Sequence, residues 1–278
     1  MHARLQPQKT LVASHNRPYI SLRRARVAGP IEADAMSGWV TRLLLLGDRL
    51  FWKITDFMLP PSCVCCGQSG STFCADCHFS VQLLPSPLCG QCSYPLQRGK
   101  RESCDICRRY SLRLDRLVSV AFHQGALQRA IHSFKYQRNR ALAHSLGEMV
   151  LQALPADLPP QTLLAPVPLS DEQLRERGFN QAGILANYVG RSLDIPVETS
   201  TLRRVRDSKT QVGLNMAERR QNVADAFRTE ANVFSRRSVV LVDNVCTTGA
   251  TLVACAEALR AAGVTQVWTV TLARAARR

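Results

Sequence analysis

Residues Val239 to Thr251, Val-Val-Leu-Val-Asp-Asn-Val-Cys-Thr-Thr-Gly-Ala-Thr, limit most strongly what this chain can fold into. The aliphatic run from Val239 to Val242 predicts a strand covered on both faces, as in a parallel sheet. Asp243 and Asn244 follow where the carboxyl end of such a strand opens to solvent, which is where open parallel sheets gather their ligands. After a short apolar step, Thr247, Thr248, Gly249, Ala250 and Thr251 lead into an apolar helical run from Leu252 to Ala262 that Gly263 ends. Hydroxyls, a glycine that lets the backbone come close, and free amides at a helix start together seat a phosphate dianion. Asp243 and Asn244 then face the sugar that carries the phosphate. The alternative is an ordinary strand, turn and helix with a threonine-rich turn.

The chain before this stretch alternates strands and helices from Arg113 onward, the pattern of a parallel α/β domain. A strand is expected over Leu117–Phe122, then a helix opened by Gly125 with Leu127, Ala130, Ile131 and Phe134 on one face. Its end presents Lys135, Arg138 and Arg140, cations that suit a pyrophosphate, although a helix carboxyl end also favours cations. A second helix spans Ala141–Leu154. Leu163–Ala165 runs as a strand into Pro166-Val167-Pro168, and Ser170 with Gln173 forms a capping box for the next helix. That helix carries Arg175 and Arg177 to the break at Gly178. Ala182–Val189 resumes helix with Ile184, Leu185, Tyr188 and Val189 as its apolar side. The basic stretch Arg203–Gln211 has no period and is expected to be a lid over a phosphate site, Lys209 included. Leu214, Glu218, Arg219, Arg220, Asn222 and Phe227 are expected to rebuild a short helix.

Cysteine marks the region ahead of this domain. Nine of the eleven cysteines lie between Cys63 and Cys107, and eight form C-x-x-C pairs: Cys63 with Cys66, Cys74 with Cys77, Cys89 with Cys92, Cys104 with Cys107. Cys65 is left over. Each pair brings two thiolates to the edge of a tight knuckle, and two knuckles complete a tetrahedral site, so the spacing predicts two structural zinc ions. Consecutive pairing of the knuckles is preferred, with interleaved pairing open. Disulfides and an iron–sulfur cluster are the alternatives. Closed four-cysteine sites leave no open ligand position, so the module is read as structural. Arg98, Lys100, Arg101, Arg108 and Arg109 surround its last pairs and fit either a solvated face or a nucleic-acid contact.

The expected domains are a basic leader over 1–35, an amphipathic helical segment over 36–58, a double zinc ribbon over 59–110 and an α/β domain over 113–278. The leader has no sustained period; it is read as a disordered tail, or as sequence ahead of a true start at Met36. An organelle transit peptide also fits its composition, but the family resemblance given below argues against it, and a secretory signal lacks its apolar core. Trp39 to Phe57 is broken by Arg42, Asp48, Arg49 and Lys53, so no membrane span is expected. A net charge of +15 favours polyanionic partners, while 6% aromatic residues give little sign of a base-stacking platform. Cys246 and Cys255 are read as core packing.

The Val239–Thr251 stretch resembles the 5-phosphoribosyl 1-pyrophosphate (PRPP) motif of type I phosphoribosyltransferases, with Asn244 where that motif usually carries a second acid. With the cysteine pairs, Phe134-Lys135-Tyr136, Pro166-Val167-Pro168-Leu169, Arg177-Gly178-Phe179-Asn180-Gln181, Thr210-Gln211 with Leu214, Glu218-Arg219-Arg220 with Asn222, and Leu272-Ala273-Arg274, residues 55 to 275 resemble the bacterial ComF family. The resemblance implies a type I phosphoribosyltransferase-like α/β fold, a parallel sheet with helices on both faces, preceded by the zinc ribbons. It implies that Asp243 holds the ribose hydroxyls, the Thr247–Thr251 loop the 5-phosphate, and Lys135 the pyrophosphate with its Mg²⁺. Arg175, Arg177, Lys209 and Arg219 are assigned to the pyrophosphate or a lid.

Two functions follow from this resemblance. The first is a cytoplasmic bacterial phosphoribosyltransferase-family protein in nucleotide or DNA metabolism, with turnover in question because Asn244 supplies no charge. The second is a non-enzymatic DNA-uptake factor that senses PRPP or a nucleotide and contacts single-stranded DNA or a helicase of the uptake machinery.

Overall fold

In the computed structural model, residues 60–97, 103–109, 114–206 and 225–276 are described. The expected leader and amphipathic segment, together with Lys209, Leu214, Glu218, Arg219, Arg220 and Asn222, lie outside these residues. The centre is a parallel sheet of β1 (Arg116–Phe122), β2 (Thr162–Pro166), β5 (Ser238–Cys246) and β6 (Gln266–Arg274) in the order β1-β6-β5-β2. Register runs through Val240 opposite Leu164 on one side and Trp268 on the other.

Sequence alternation explains the layering. Along β5, Val239 and Leu241 enter one buried cluster while Val240 and Val242 enter the other, so this strand is covered on both faces and reads as a continuous aliphatic run. The first cluster collects Leu252, Cys255, Ala256 and Leu259 of α8 (Ala250–Ala261) and Phe234 of α7 (Ala231–Phe234). The second collects α3 (Gly125–Tyr136), α4 (Ala143–Ala153) and α6 (Gln181–Leu193). Before α6, α5 (Asp171–Arg177) starts with the Ser170–Gln173 capping box and stops at Gly178, whose φ of 76° is left-handed. The sheet edges are also covered. Leu83 bridges Ala121 beyond β1, and Val197 bridges Leu164 beyond β2.

Several elements differ from the sequence expectation. β5 continues to Cys246 because Val245 and Cys246 keep pairing with Ala273 and Arg274. Phe227 is not helical: it lies in β4 (Phe227–Arg228), antiparallel to β3 (Arg203–Arg204), where its ring is buried in the first cluster. The second helix begins with a 3₁₀ turn, Arg140–Leu142. On α6 the buried apolar side chains are Ala182, Leu185, Ala186 and Val189, whereas Ile184 and Tyr188 are half-buried at the flank.

The cysteine pairs fold as ribbons with short helices α1 (Ala75–Phe79) and α2 (Asp105–Arg109). They are part of the same packing. Cys63, Cys74 and Cys77 belong to the α3/α6 cluster, and Cys89, Cys92, Cys104 and Cys107 to the α8 cluster, so one ribbon packs on each.

Candidate functional site

Parallel strands put their carboxyl ends at one edge of the sheet, and β5 hands over there to the threonine loop. Gly249 adopts φ 83° and is the residue before α8; it has no side chain with which to cap the first turn. Thr248 Oγ1 accepts from the Ala250 amide at 3.3 Å. Thr247 is exposed, Thr248 and Thr251 are half-buried, and Gly249 and Ala250 are buried. Such a turn presents hydroxyls and unbonded amides to an anion.

Charges converge beside this loop. Asp243 is half-buried, and its Oδ1 accepts from the Asn244 amide at 2.7 Å. Burial pushes its carboxyl above the usual range, and Lys135, the Asn244 amide and Arg177 draw it back. Lys135 is the complement. Burial lowers its ammonium, Asp243 opposes that, and Arg177 adds to it. Arg177 also stacks over the Tyr136 ring at 5.4 Å, with Nε buried and unbonded. Lys135, Arg177 and Asp243 thus form one electrostatic group.

The Arg-Gly-Phe-Asn-Gln block builds this group from below. Gly178 turns the chain after Arg177, and Phe179 packs on Phe134 with ring centroids 5.8 Å apart. Asn180 caps α6: its Oδ1 accepts from the Ala182 and Gly183 amides, and its Nδ2 donates to the Val167 carbonyl at 3.0 Å. Gln181 Nε2 donates to the Lys135 carbonyl at 3.3 Å. The block therefore fixes the end of α3, the Pro166-Val167-Pro168 turn and the start of α6 to one another.

Other candidates are placed differently. Asn244 is only 3% exposed, and its Oδ1 is buried with no hydrogen-bond partner. Arg175 is exposed two positions before Arg177, about 200° around the helix. Arg138 Nη2 donates to the Glu176 carbonyl at 2.9 Å, and Arg140 lies over Phe179 at 4.6 Å. Sequence reasoning missed His123, which follows β1 at the ligand-gathering end of the sheet. Burial lowers its pKa, and Lys135 lowers it further. Its position after a strand was the available signal.

The cysteines form two groups, Cys63 with Cys66, Cys74 and Cys77, and Cys89 with Cys92, Cys104 and Cys107, each with its sulfurs within 4.8 Å of one another. This is the consecutive pairing. Cys66–Cys74 and Cys92–Cys104 sulfurs are each 3.6 Å apart, near the ~3.8 Å edge of a tetrahedron with ~2.3 Å Zn–S bonds. None of the described cysteines forms a disulfide. All-thiolate donors at this spacing fit structural zinc. Cys65 stays outside both groups, and its thiol donates to the Ala126 carbonyl at 3.2 Å, tying the first ribbon to α3. Cys246 and Cys255 are buried.

The comparisons agree with this architecture. Residues 174–278 match the phosphoribosyl transferase domain family, and residues 54–108 match the double zinc ribbon domain family. The first match begins after β1 and β2, which the structure shows completing the same sheet. Competence protein F of Haemophilus influenzae is 33% identical over 209 residues, 73% of this chain and 90% of that protein. The DNA utilization protein YhgH of Salmonella typhi is 32% identical over 202 residues, 70% and 88% of the two chains. Competence protein ComFC of Bacillus subtilis is 26% identical over 185 residues, 64% and 74%. No helix among the described residues is long and apolar enough to cross a membrane. With two cysteine ribbons joined to a parallel phosphoribosyltransferase-type sheet, the chain belongs to the ComF family.

Proposed function

We propose that the chain binds PRPP at the carboxyl edge of the sheet and acts in nucleotide or DNA metabolism in the bacterial cytoplasm. The carrying observation is the convergence of Lys135, Arg177 and Asp243 beside the Gly249 turn. In this reading Thr247, Thr248, Gly249, Ala250 and Thr251 hold the 5-phosphate. Asp243 accepts from the ribose hydroxyls, and Lys135 with Arg177 receives the pyrophosphate. A magnesium ion bound with PRPP would neutralise part of the pyrophosphate charge that Lys135 and Arg177 face. Lys209 and Arg219 belong to the same assignment as lid residues. Leaving-group cations and a carboxylate beneath the ribose stabilise the charge separation of phosphoribosyl transfer, if the acceptor is present.

A second reading has one specific support. Asn244 is neutral and enclosed, so the ribose side offers one carboxylate where the phosphoribosyltransferase motif usually has two acids. That favours binding with little turnover: a PRPP-sensing factor in DNA uptake or utilisation that meets single-stranded DNA or a helicase partner. The names of the H. influenzae and S. typhi relatives point the same way.

Calorimetric titration of PRPP with Mg²⁺ tests the first step. Saturable binding that Asp243→Ala abolishes is the expected result; heat equal in both proteins would refute this site. Pyrophosphate release with a panel of bases then separates enzyme from sensor.

A further inference from the structure

Arg274 ends β6 at 3% exposure, an unusual place for a guanidinium, which stays charged at any physiological pH. Its Nη1 donates to Cys246 Sγ at 2.8 Å, its Nε is buried with no hydrogen-bond partner, and among the described residues no carboxylate pairs with it. A buried cation in such a setting calls for an anion nearby. The second ribbon provides one. Cys89, Cys92, Cys104 and Cys107 occupy the same buried cluster as Cys246, and four thiolates around one zinc ion make a dianion. Arg274 also lies within electrostatic reach of Cys92. Cys246 is also the residue immediately before Thr247.

We infer that Arg274 is the buried counter-cation of the second zinc centre and, through Cys246, fastens that centre to the strand end from which the threonine loop starts. The zinc ion and the guanidinium then need each other: removing the ion strands a cation in the core, and removing the cation leaves the dianion uncompensated. Loss of the second centre loosens the loop, whereas loss of the first, on the other cluster, does not. This inference stands whether or not PRPP is the ligand.

The test uses the full zinc-loaded chain. Chelator-driven zinc release, followed by atomic emission, should be about tenfold faster or more for one of the two ions in Arg274→Gln, with Arg274→Lys closer to the parent. Amide hydrogen exchange over residues 246–252 should rise in Arg274→Gln and in Cys104→Ser but stay at the parent level in Cys63→Ser. Parent-like release from Arg274→Gln, or equal loosening by loss of either ribbon, overturns the inference. Should Arg274→Gln fail to fold, a stability cycle decides. Adding Arg274→Met to Cys104→Ser should raise the melting temperature of the zinc-deficient protein, and an unchanged or lower value overturns it.

Discussion

Asp243 and Lys135 sit in opposition: burial raises the acid and lowers the base, and each moves the other back toward its charged form. The sign for folding follows from proton counts. Between its ordinary value and its raised one, Asp243 holds more proton folded than unfolded, so stability falls as pH rises through that window. Asp243→Asn should therefore raise stability at neutral pH by about 1 kcal/mol while abolishing PRPP binding, a trade measurable by thermal melting beside calorimetry. For PRPP the sign reverses. Binding needs the carboxylate, so affinity should fall as pH drops through the raised Asp243 value, with a second fall in alkali as Lys135 loses its proton below the ordinary lysine range. Asn244 argues differently. An acid there enters an enclosed site whose one buried oxygen already lacks a partner, so Asn244→Asp should cost about 2–3 kcal/mol at pH 8 and less at pH 5, where it is protonated. A gain in PRPP turnover without that loss of stability would show that Asn244 faces the ribose.

The elements were legible in sequence where local chemistry decides them. Val239–Val242 announced β5, Ser170 and Gln173 announced the capping box, and Gly178 announced a break, because each signal lies within a few residues of its effect. Asp243 and Lys135 could be named as candidates, yet nothing local showed that Arg177 would join them while Arg175 would not; helix phase set by the Gly178 turn decides that. Sequence reading places Phe227 in a helix because a two-residue strand has no period; its pairing with Arg204, distant in sequence, decides its state. The tightest helix contacts were also silent. Gly190 of α6 lies so close to the β2 edge that a Cβ would stand 2.4 Å from Val197 Cγ2 and 2.7 Å from the Ile195 carbonyl oxygen. The oxygen belongs to backbone and cannot rotate away. Gly190→Ala should thus cost about 1–3 kcal/mol, against the usual stabilising sign of Gly→Ala within a helix, as read from urea denaturation.

At the scale of the molecule, the ribbons are cover for the sheet. The first places Cys63, Cys74 and Cys77 among the side chains of α3 and α6, the second places all four of its cysteines against the α8 cluster, and the segment between them supplies Leu83 to the β1 edge. A module hung on a linker would unfold by itself and leave the α/β part intact. Here loss of both ribbons together bares apolar surface on both clusters and opens a sheet edge, so a protein without either ion should lose the ribbons and the sheet in one event. Zinc binding by closed thiolate sites is worth on the order of 10 kcal/mol per ion, so the two ions together exceed the whole stability of a domain, roughly 5–15 kcal/mol. Stripping both ions with a chelator under reducing conditions should therefore remove the single cooperative transition of the whole chain, with loss of near-ultraviolet dichroism from Trp268 on β6 as well as of ribbon structure. Readdition of zinc should restore both together. A stripped protein that keeps a sharp melt and the Trp268 signal would mean that the sheet folds without its ribbons.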